Sequence, residues 1–210
     1  MRNRKALSMI KNLIFDVGDV LLSYDWKTML MDHGLSEKDT VRVAHRMFNS
    51  PYWSLMDLAT IPEEQIIDCF KETFPDEGDD IEWFIKHGEL MHRPRQKVWD
   101  RIRELKKEGY KIYILSNYSE NLFKQHTAGA SFMDELDGGI VSYQVHCIKP
   151  DYRIYQLLLK KYSLKAEECI FFDDRAENIK AAKELGFEGE VIESEEHLLG
   201  LLSKLHYGQD

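Results

Sequence analysis

Three short apolar runs in this chain end abruptly in polar side chains that could act on a ligand. The runs are residues 13–15 before Asp16, residues 112–115 before Ser116 and Asn117, and residues 170–172 before Asp173 and Asp174. Runs of this length without alternating polar residues are typical of strands buried on both faces of a parallel sheet. Ligands of such sheets bind beyond the carboxyl ends of the strands. The sequence therefore predicts one sheet edge where these carboxylates, the hydroxyl and the amide come together.

The order of patterns along the chain predicts the fold class. From Pro94 onwards helical and strand patterns alternate, as in a parallel sheet with helical crossovers. Between the first strand and Pro94 stand about seventy residues with helical patterns and no strand pattern. We expect an α/β, Rossmann-like doubly wound core formed by residues 1–22 and 95–210, with residues 23–94 as an inserted helical cap subdomain.

Two helices of the predicted cap have start signals. Ser36, with Asp39 three positions later, predicts the N-cap of a helix that carries Val41, Ala44 and Phe48 on one apolar face. Thr60, with a glutamate three positions later, predicts a capping box before a second helix. Aromatic residues at helical intervals between these signals, among them Phe48 and Trp53, are either core or the wall of a substrate pocket, and we expect core.

Composition and charge exclude several classes of partner. The 210 residues include 37 acidic and 28 basic ones, which gives a formal net charge of −9. The absence of a basic cluster argues against nucleic acid or an anionic membrane surface as a partner. No apolar stretch approaches the ~20 residues of a membrane helix, and residues 1–11 lack a signal-peptide core, so we expect a cytoplasmic protein. A small metabolite is the expected partner, and no pattern predicts an oligomeric state.

The three cysteines are odd in number, far apart and without metal-ligand spacing. This pattern argues against both a disulfide framework and a zinc site.

The acids at the predicted edge suit phosphate chemistry. The carboxylate of Asp16 could attack a phosphoryl group and form an aspartyl phosphate, which water then hydrolyses. Asp173 and Asp174 offer hard oxygen ligands that suit Mg²⁺. Alternatively, Asp16 is an ordinary acid at a strand end, and the adjacent acids Asp173 and Asp174 are only a helix cap.

Three further side chains could bind the phosphate itself. Ser116 and Asn117 offer a hydroxyl and an amide donor, although this pair is also common in turns. Lys149 offers a point charge, although a lysine before proline is usually solvated. Each of these four segments, the three apolar runs with their polar ends and Lys149 with its proline, also occurs outside functional sites. Their occurrence together in this order, with three at predicted strand ends, favours a site.

On these four segments, and over essentially its full length, the chain resembles the haloacid dehalogenase superfamily of hydrolases. The resemblance implies that Asp16 is the nucleophile and that Ser116 and Asn117 bind the phosphate. It also implies that Lys149 compensates the charge of the nucleophile and the phosphate.

The same resemblance implies a magnesium site. Asp174 would be the main ligand beside Asp16, and Asp173 a direct or water-mediated one. The backbone carbonyl of Gly18 would be a further ligand, and Asn178 would support the site.

Gly18 departs from the pattern of most phosphatases in the superfamily. Those members carry a second aspartate at this place, which protonates the leaving group and later activates water. The Asp-x-Gly-x-Val form is similar to a subgroup of small, helical-capped members that includes bacterial sugar-phosphate phosphatases such as the glucose-1-phosphate phosphatase. The general acid is therefore unassigned, because Asp19 lies one residue too late in the chain, and the open alternatives are a group of the cap or a water molecule.

The expected function is a magnesium-dependent phosphatase of a small phosphorylated metabolite, with a sugar phosphate as the first guess. One alternative is a 2-haloacid dehalogenase, against which the Asp173–Asp174 pair argues, because a metal-free enzyme does not need that much negative charge beside its nucleophile. The other alternative is a weakly active or non-catalytic protein that binds phosphorylated ligands, which Gly18 favours.

Overall fold

The computed structural model describes residues 9–205, and its centre is a parallel sheet. The strands of the chain are β1 (Asn12–Phe15), β2 (Leu22–Tyr24), β3 (His92–Pro94), β4 (Lys111–Ser116), β5 (Gly138–Val141), β6 (Cys169–Asp173) and β7 (Glu188–Val191). Five of them form the sheet in the order β5-β4-β1-β6-β7, and all its pairs are parallel. The predicted doubly wound α/β core is confirmed.

Eleven α-helices lie among the described residues. They are α1 (Trp26–Asp32), α2 (Glu37–Phe48), α3 (Pro51–Leu58), α4 (Glu63–Thr73), α5 (Gly78–Lys86), α6 (Gln96–Glu108), α7 (Glu120–Thr127), α8 (Ser142–Val145), α9 (Tyr152–Tyr162), α10 (Ala176–Glu184) and α11 (Glu195–Leu202). Helices α1 to α5 all lie between β2 and β3. Within residues 9–205, no helix is long and apolar enough to cross a bilayer.

The strand order reverses at β1, and this reversal locates the site. From β1 the chain passes to β4 and β5 on one side, then returns to β6 and β7 on the other. A crevice opens beyond the carboxyl ends of the strands where the order reverses, and ligands of open α/β sheets bind there. The residues that follow β1, β4 and β6 therefore share one crevice.

Alternate residues of the sheet pack into two hydrophobic layers. In β1, Leu13 and Phe15 point into the layer formed with helices α6 and α11, whereas Ile14 points into the layer formed with α9 and α10. Both layers are fully buried at these positions. Because both faces are covered, the strands lack the polar alternation of a solvated sheet.

Helices α1 to α5 have a hydrophobic cluster of their own. Its buried members include Leu30, Met47, Phe70 and Phe84. Strands β2 and β3 pair antiparallel at the two ends of this segment, with Leu22 opposite Pro94. The expectation that no strand interrupts this region is therefore wrong at its ends. Each strand has only three residues, too few to show a period of two in the sequence.

The start of α2 is as predicted, and its buried face is predicted in part. The hydroxyl of Ser36 accepts a hydrogen bond from the backbone N–H of Asp39 at 3.2 Å. Ala44 is buried and Phe48 packs against the same cluster, as expected. The prediction is wrong for Val41, which is 53% exposed, and Val43 is buried in its place.

The predicted capping box at the start of α4 is wrong. Pro62 occupies the N-cap position, and no side chain caps the helix there. Thr60 lies two residues before the N-cap, so its hydroxyl is not at a capping position. The helix begins with Glu63 and Glu64, which are favourable near the positive end of the helix dipole.

Candidate active site

The strand β1 delivers Asp16 to the crevice. The backbone N–H of Asp16 donates to the carbonyl of Phe172 at 2.8 Å, which holds the residue in the sheet. Its Oδ1 accepts a hydrogen bond from the hydroxyl of Ser116 at 2.5 Å and one from the N–H of Val17 at 2.7 Å. The residue is 8% exposed. One carboxylate oxygen is thus held by neutral donors, and the other is left for a cation or a substrate.

That second oxygen faces Lys149, which follows helix α8. The ammonium Nζ lies 3.0 Å from Oδ2 of Asp16 and 2.6 Å from Oδ2 of Asp173. Lys149 is only 3% exposed. Asn117 holds its backbone, since the amide Nδ2 donates to the Lys149 carbonyl at 3.0 Å and Oδ1 accepts from the Lys149 N–H at 2.8 Å. Asn117 therefore positions the lysine, and its predicted contact with phosphate stays a prediction.

The acidic pair at the end of β6 completes the cluster. One carboxylate oxygen from each of Asp16, Asp173 and Asp174 lies within 4.8 Å of the other two. Asp173 is fully buried and accepts hydrogen bonds from the N–H of Arg175 at 2.8 Å and from the amide of Asn178 at 3.0 Å. Asp174 is exposed and remains open on the cavity side. The three carboxylates form a concave set of hard oxygen donors.

Asn178 adds one further oxygen to this set. Its Oδ1 is buried and has no hydrogen-bond partner among residues 9–205. A buried amide oxygen is normally satisfied, so this one is suited to accept from a ligand or from water held by a cation. The donor set fits Mg²⁺, which binds through one or two carboxylates and keeps several waters.

Burial and crowding of charge dominate the electrostatics of the cluster. Burial raises the pKa of Asp16 to about 7, Lys149 opposes this rise, and Asp173 and Asp174 add to it. Burial likewise raises the pKa of Asp174 to about 6, with Asp173 adding to the effect. Burial disfavours the charge of Lys149, but attraction to Asp16 and Asp173 outweighs it, so the pKa of Lys149 is raised. The cluster thus has more negative charge than one lysine can neutralise.

Gly18 lies beside the phenol of Tyr24. A Cβ atom built on Gly18 would lie 2.5 Å from the Tyr24 hydroxyl and 2.6 Å from a ring carbon. No real Cβ contact is that short, so the phenol occupies the space that a side chain at position 18 would need. Asp19, the next residue, has φ of 50°, and its Oδ1 accepts the N–H of Tyr24 at 3.0 Å.

We expect Gly18→Ala to destabilise the chain by about 1–3 kcal/mol, because the added methyl group overpacks against Tyr24. In a Tyr24→Ala background the same change should cost much less. Urea unfolding of the four variants of this double-mutant cycle measures the difference. Gly200→Ala is the matched control, because a Cβ at Gly200 meets nothing within 4 Å. An equal cost of Gly18→Ala in both backgrounds would contradict this account.

Tyr24 begins a chain of hydrogen bonds that runs away from the cavity. The Tyr24 hydroxyl bonds the Tyr118 hydroxyl, which lies 3.0 Å from Nδ1 of His126. The other ring nitrogen, Nε2, lies 2.7 Å from the carbonyl of Gly88. Burial lowers the pKa of His126 to about 4, so the ring is neutral near pH 7.

The Gly88 carbonyl determines which atom donates in each hydrogen bond between Tyr24 and Gly88. A carbonyl only accepts, so Nε2 of His126 carries the proton and Nδ1 is an acceptor. The Tyr118 hydroxyl must then donate to Nδ1, and the Tyr24 hydroxyl must donate to the oxygen of Tyr118. The single hydroxyl proton of Tyr24 is therefore donated to Tyr118 and not to a ligand in the cavity.

The active-site cluster opens into a cavity of about 840 Å³. Helices α1 to α3 and strand β2 supply part of its apolar walls, including Trp26, Phe48 and Trp53. The prediction that Phe48 and Trp53 are core is thus incomplete, because both also line the cavity. Their rings pack edge-to-face with a centroid distance of 4.8 Å. A volume of this size suits a small organic molecule.

Asp57, near the end of α3, also lines this cavity. It is partly buried, and burial raises the pKa of its carboxyl to about 7. Asp16 adds to the rise through repulsion, whereas Lys149, Arg175 and a hydrogen bond from the N–H of Ser119 oppose it. No sequence pattern indicates Asp57, because a single aspartate among apolar helical residues is indistinguishable from a surface position.

Residues 10–186 match the family model described as haloacid dehalogenase-like hydrolase. The match includes β1, β4 and β6 and every residue of the carboxylate cluster. The chain belongs to the haloacid dehalogenase-like hydrolases.

Known proteins similar to this hydrolase include phosphatases. It is 29% identical to the sesquiterpene phosphatase astK of Aspergillus oryzae over 182 residues, which cover 85% of this chain and 88% of astK. It is 28% identical to the D-ribitol-5-phosphate phosphatase of Bacteroides thetaiotaomicron over 193 residues, which cover 86% of this chain and 90% of that protein.

Solved structures show the same fold as this hydrolase. The haloacid dehalogenase family enzyme bt-2542 of Bacteroides thetaiotaomicron, in complex with magnesium and inorganic phosphate, matches with a TM-score of 0.69 at 22% identity. The match covers 88% of this chain and 95% of that one.

Proposed function

We propose that this hydrolase is a magnesium-dependent phosphatase that cleaves a small phosphorylated metabolite through an aspartyl-phosphate intermediate. The observation that carries the proposal is the position of Asp16, whose Oδ2 faces Lys149 at 3.0 Å inside a cluster of carboxylates open to a cavity. A carboxylate nucleophile is activated by being fixed in place and by having its repulsion with the phosphate offset.

Each of the surrounding residues has a distinct part in this proposal. The hydroxyl of Ser116 holds Oδ1 of Asp16, so that Oδ2 faces the substrate. Asp173 holds the ammonium of Lys149, and the side chain of Asn117 holds its backbone. We propose that the ammonium stabilises the negative charge on the phosphoryl oxygens of a bound substrate. Asn117 and Ser116 are the proposed phosphate ligands at the end of β4. Asn117 has a second amide hydrogen beside the one donated to Lys149, whereas the hydroxyl of Ser116 would have to turn its single proton from Asp16 to the phosphate.

Mg²⁺ is the proposed cofactor, held by Asp16, Asp174 and the carbonyl of Gly18, with Asp173 and Asn178 in support. The fit rests on three carboxylate oxygens within 4.8 Å of one another and on the unsatisfied Oδ1 of Asn178. When bound, the ion would offset the repulsion between the carboxylates and the phosphate and stabilise the charge that develops during transfer.

The cavity walls support a small organic phosphate as the substrate. The cavity of about 840 Å³ combines the aromatic rings of Trp26 and Trp53 with the polar side chains of Asn49 and Ser54. Aromatic faces and a few polar groups suit the ring and hydroxyls of a sugar phosphate, our first choice. We propose that residues 23–94 act as the cap that selects the substrate, because Trp26, Asn49, Trp53 and Ser54 all belong to this segment.

The test is hydrolysis of p-nitrophenyl phosphate with Mg²⁺ and after its removal by a chelator. We expect turnover that the chelator abolishes and that added Mg²⁺ restores. Asp174→Asn should raise the Mg²⁺ concentration for half-maximal activity at least about 10-fold, because a proposed ligand is lost. A panel of sugar, polyol and isoprenoid phosphates then ranks the substrates. Release of halide from a 2-haloacid without metal, or silence towards the whole panel, would contradict the proposal.

A further inference from the structure

We propose that Asp57 is the catalytic acid and base of this phosphatase, in place of a side chain at position 18. The inference rests on the proposed function and deepens it. It starts from the crevice, where the space beside Gly18 is filled by the phenol of Tyr24. A proton donor for the leaving oxygen must therefore come from another wall of the cavity, and Asp57 lines the cavity from helix α3.

The other carboxyl groups of the cavity already have partners. Asp16 contacts Ser116 and Lys149, and Asp174 belongs to the proposed cation site. Asp19 accepts the backbone N–H of Tyr24. Among the described residues that line the cavity, Asp19 and Asp57 neither pair with the lysine nor belong to the carboxylate cluster. We assign the acid to Asp57, because the carboxylate of Asp19 is already held against the backbone N–H of Tyr24 at 3.0 Å.

Neither Tyr24 nor Tyr118, the two tyrosines that line the cavity, can act as the acid and base. The proton of Tyr24 is donated to Tyr118, and the proton of Tyr118 is donated to His126, as the carbonyl of Gly88 dictates. The pKa of Tyr24 and that of Tyr118 are raised well above 10, chiefly by burial, so neither phenolate is available to accept a proton from water. A group that serves in both half-reactions needs a pKa near the working pH, and the Asp57 carboxyl, raised to about 7, meets this requirement.

Three contacts fix the end of α3 against the core. The hydroxyl of Ser142 donates to the backbone carbonyl of Asp57 at 2.6 Å. Nδ1 of His146 lies 2.8 Å from the carbonyl of Leu58, and the N–H of Ser119 bonds the Asp57 carboxylate. Asp57 is therefore held by the loops that follow β4 and β5, even though it lies in the inserted helices. Such support is what a catalytic group on a cap needs.

The two proton transfers balance as follows. In the first half-reaction an oxygen of Asp16 bonds to phosphorus, the bond from phosphorus to the leaving oxygen breaks, and that oxygen takes the proton of Asp57. In the second, water attacks the phosphorus and gives its proton to the Asp57 carboxylate, while the electron pair of the breaking bond returns to Asp16. Inorganic phosphate leaves, and both carboxyl groups regain their starting states.

The test compares two substrates on Asp57→Asn in the intact chain. The nitrophenolate of p-nitrophenyl phosphate leaves without a proton, whereas the alkoxide of an alkyl phosphate must be protonated. We expect kcat/KM to fall roughly 10²- to 10⁴-fold for the alkyl phosphate and less than about 10-fold for p-nitrophenyl phosphate. With p-nitrophenyl phosphate, kcat should fall and a burst of nitrophenol should appear, because hydrolysis of the phosphorylated Asp16 becomes slow.

Two further variants keep the test decisive. Asp57→Glu retains the carboxyl and should recover part of the activity on the alkyl phosphate. Asp68→Asn makes the same change at an exposed position of α4 and should leave both substrates unaffected. Thermal melts check that each variant folds.

If kcat/KM of Asp57→Asn falls equally for both substrates, or for neither, the assignment of Asp57 is overturned. A selective loss in Tyr24→Phe instead of Asp57→Asn would overturn it in favour of the phenol. If the unchanged chain hydrolyses neither substrate, the proposed function itself fails, and this outcome is distinct from an active enzyme that is indifferent to Asp57.

Discussion

Asp16→Asn is expected to lower the turnover of p-nitrophenyl phosphate by roughly 10⁴- to 10⁶-fold, the range seen when a member of a covalent catalytic unit is removed. The amide has nearly the shape of the carboxylate, and its oxygen can still accept the hydroxyl of Ser116. It cannot form the acyl phosphate, because an amide is a poor nucleophile. Steady-state assay of the release of nitrophenol measures the loss.

Asp134→Asn is the matched control for this experiment, because Asp134 is exposed and lies outside the cavity. It should retain full activity. Acid quenching of the unchanged chain during turnover should trap phosphate on the protein, and Asp16→Asn should trap none. An Asp16→Asn variant that keeps more than about a tenth of the activity would exclude Asp16 as the nucleophile.

Lys149→Met is expected to have the largest effect on stability, with a loss of about 3–5 kcal/mol in the free energy of unfolding. The lysine is buried between Asp16 and Asp173, and its removal leaves two buried carboxylates without their cation. Urea unfolding at pH 8 in the absence of divalent ions measures the cost. Lys160→Met, at an exposed position of α9, should change stability little.

The cost of Lys149→Met should depend on pH in a defined direction. In the unchanged chain the pKa of Asp16 is raised to about 7 from 3.8, chiefly by burial, so the folded state keeps a proton that the unfolded state loses. Stability therefore falls as pH rises through this window. Lys149 opposes the rise of the pKa of Asp16, so Lys149→Met should lose more stability than the unchanged chain as pH rises. A cost that is the same at pH 5 and pH 8 would contradict the charge account.

Mg²⁺ provides a second measurement on the same variant. A divalent ion held by the carboxylates replaces part of the missing positive charge, and a ligand that binds the folded state alone stabilises it. We therefore expect Mg²⁺ to raise the Tm of Lys149→Met by more than it raises the Tm of the unchanged chain.

The sheet and its functional edge could be predicted because they follow from local sequence patterns. Each of β1, β4 and β6 is an apolar run too short for a helix, and each ends in a polar residue that the parallel arrangement brings to the same crevice. Asp16, Ser116 and Asp173 lie together for this reason. Lys149 lies outside the strands, so no periodicity places it at this edge, and its role as the charge-compensating residue is implied by the resemblance to the family.

The residues that helices α1 to α3 contribute to the cavity could not be predicted, because their positions depend on tertiary packing. Asp57 faces the cavity only because Ser142 and His146 hold the end of α3 against the core. Nothing in the local sequence announces these contacts. The proximity of Tyr24 to Gly18 likewise depends on the antiparallel pairing of β2 and β3, two strands separated by the whole inserted segment.

The close fit between Gly18 and Tyr24 also restricts how this site can change during evolution. Any side chain introduced at position 18 meets the phenol, so an ancestor or descendant with an acid there requires a smaller or displaced residue at position 24. A side chain at 18 therefore carries a cost that a smaller residue at 24 would relieve, so we expect the identities of these two positions to depend on each other.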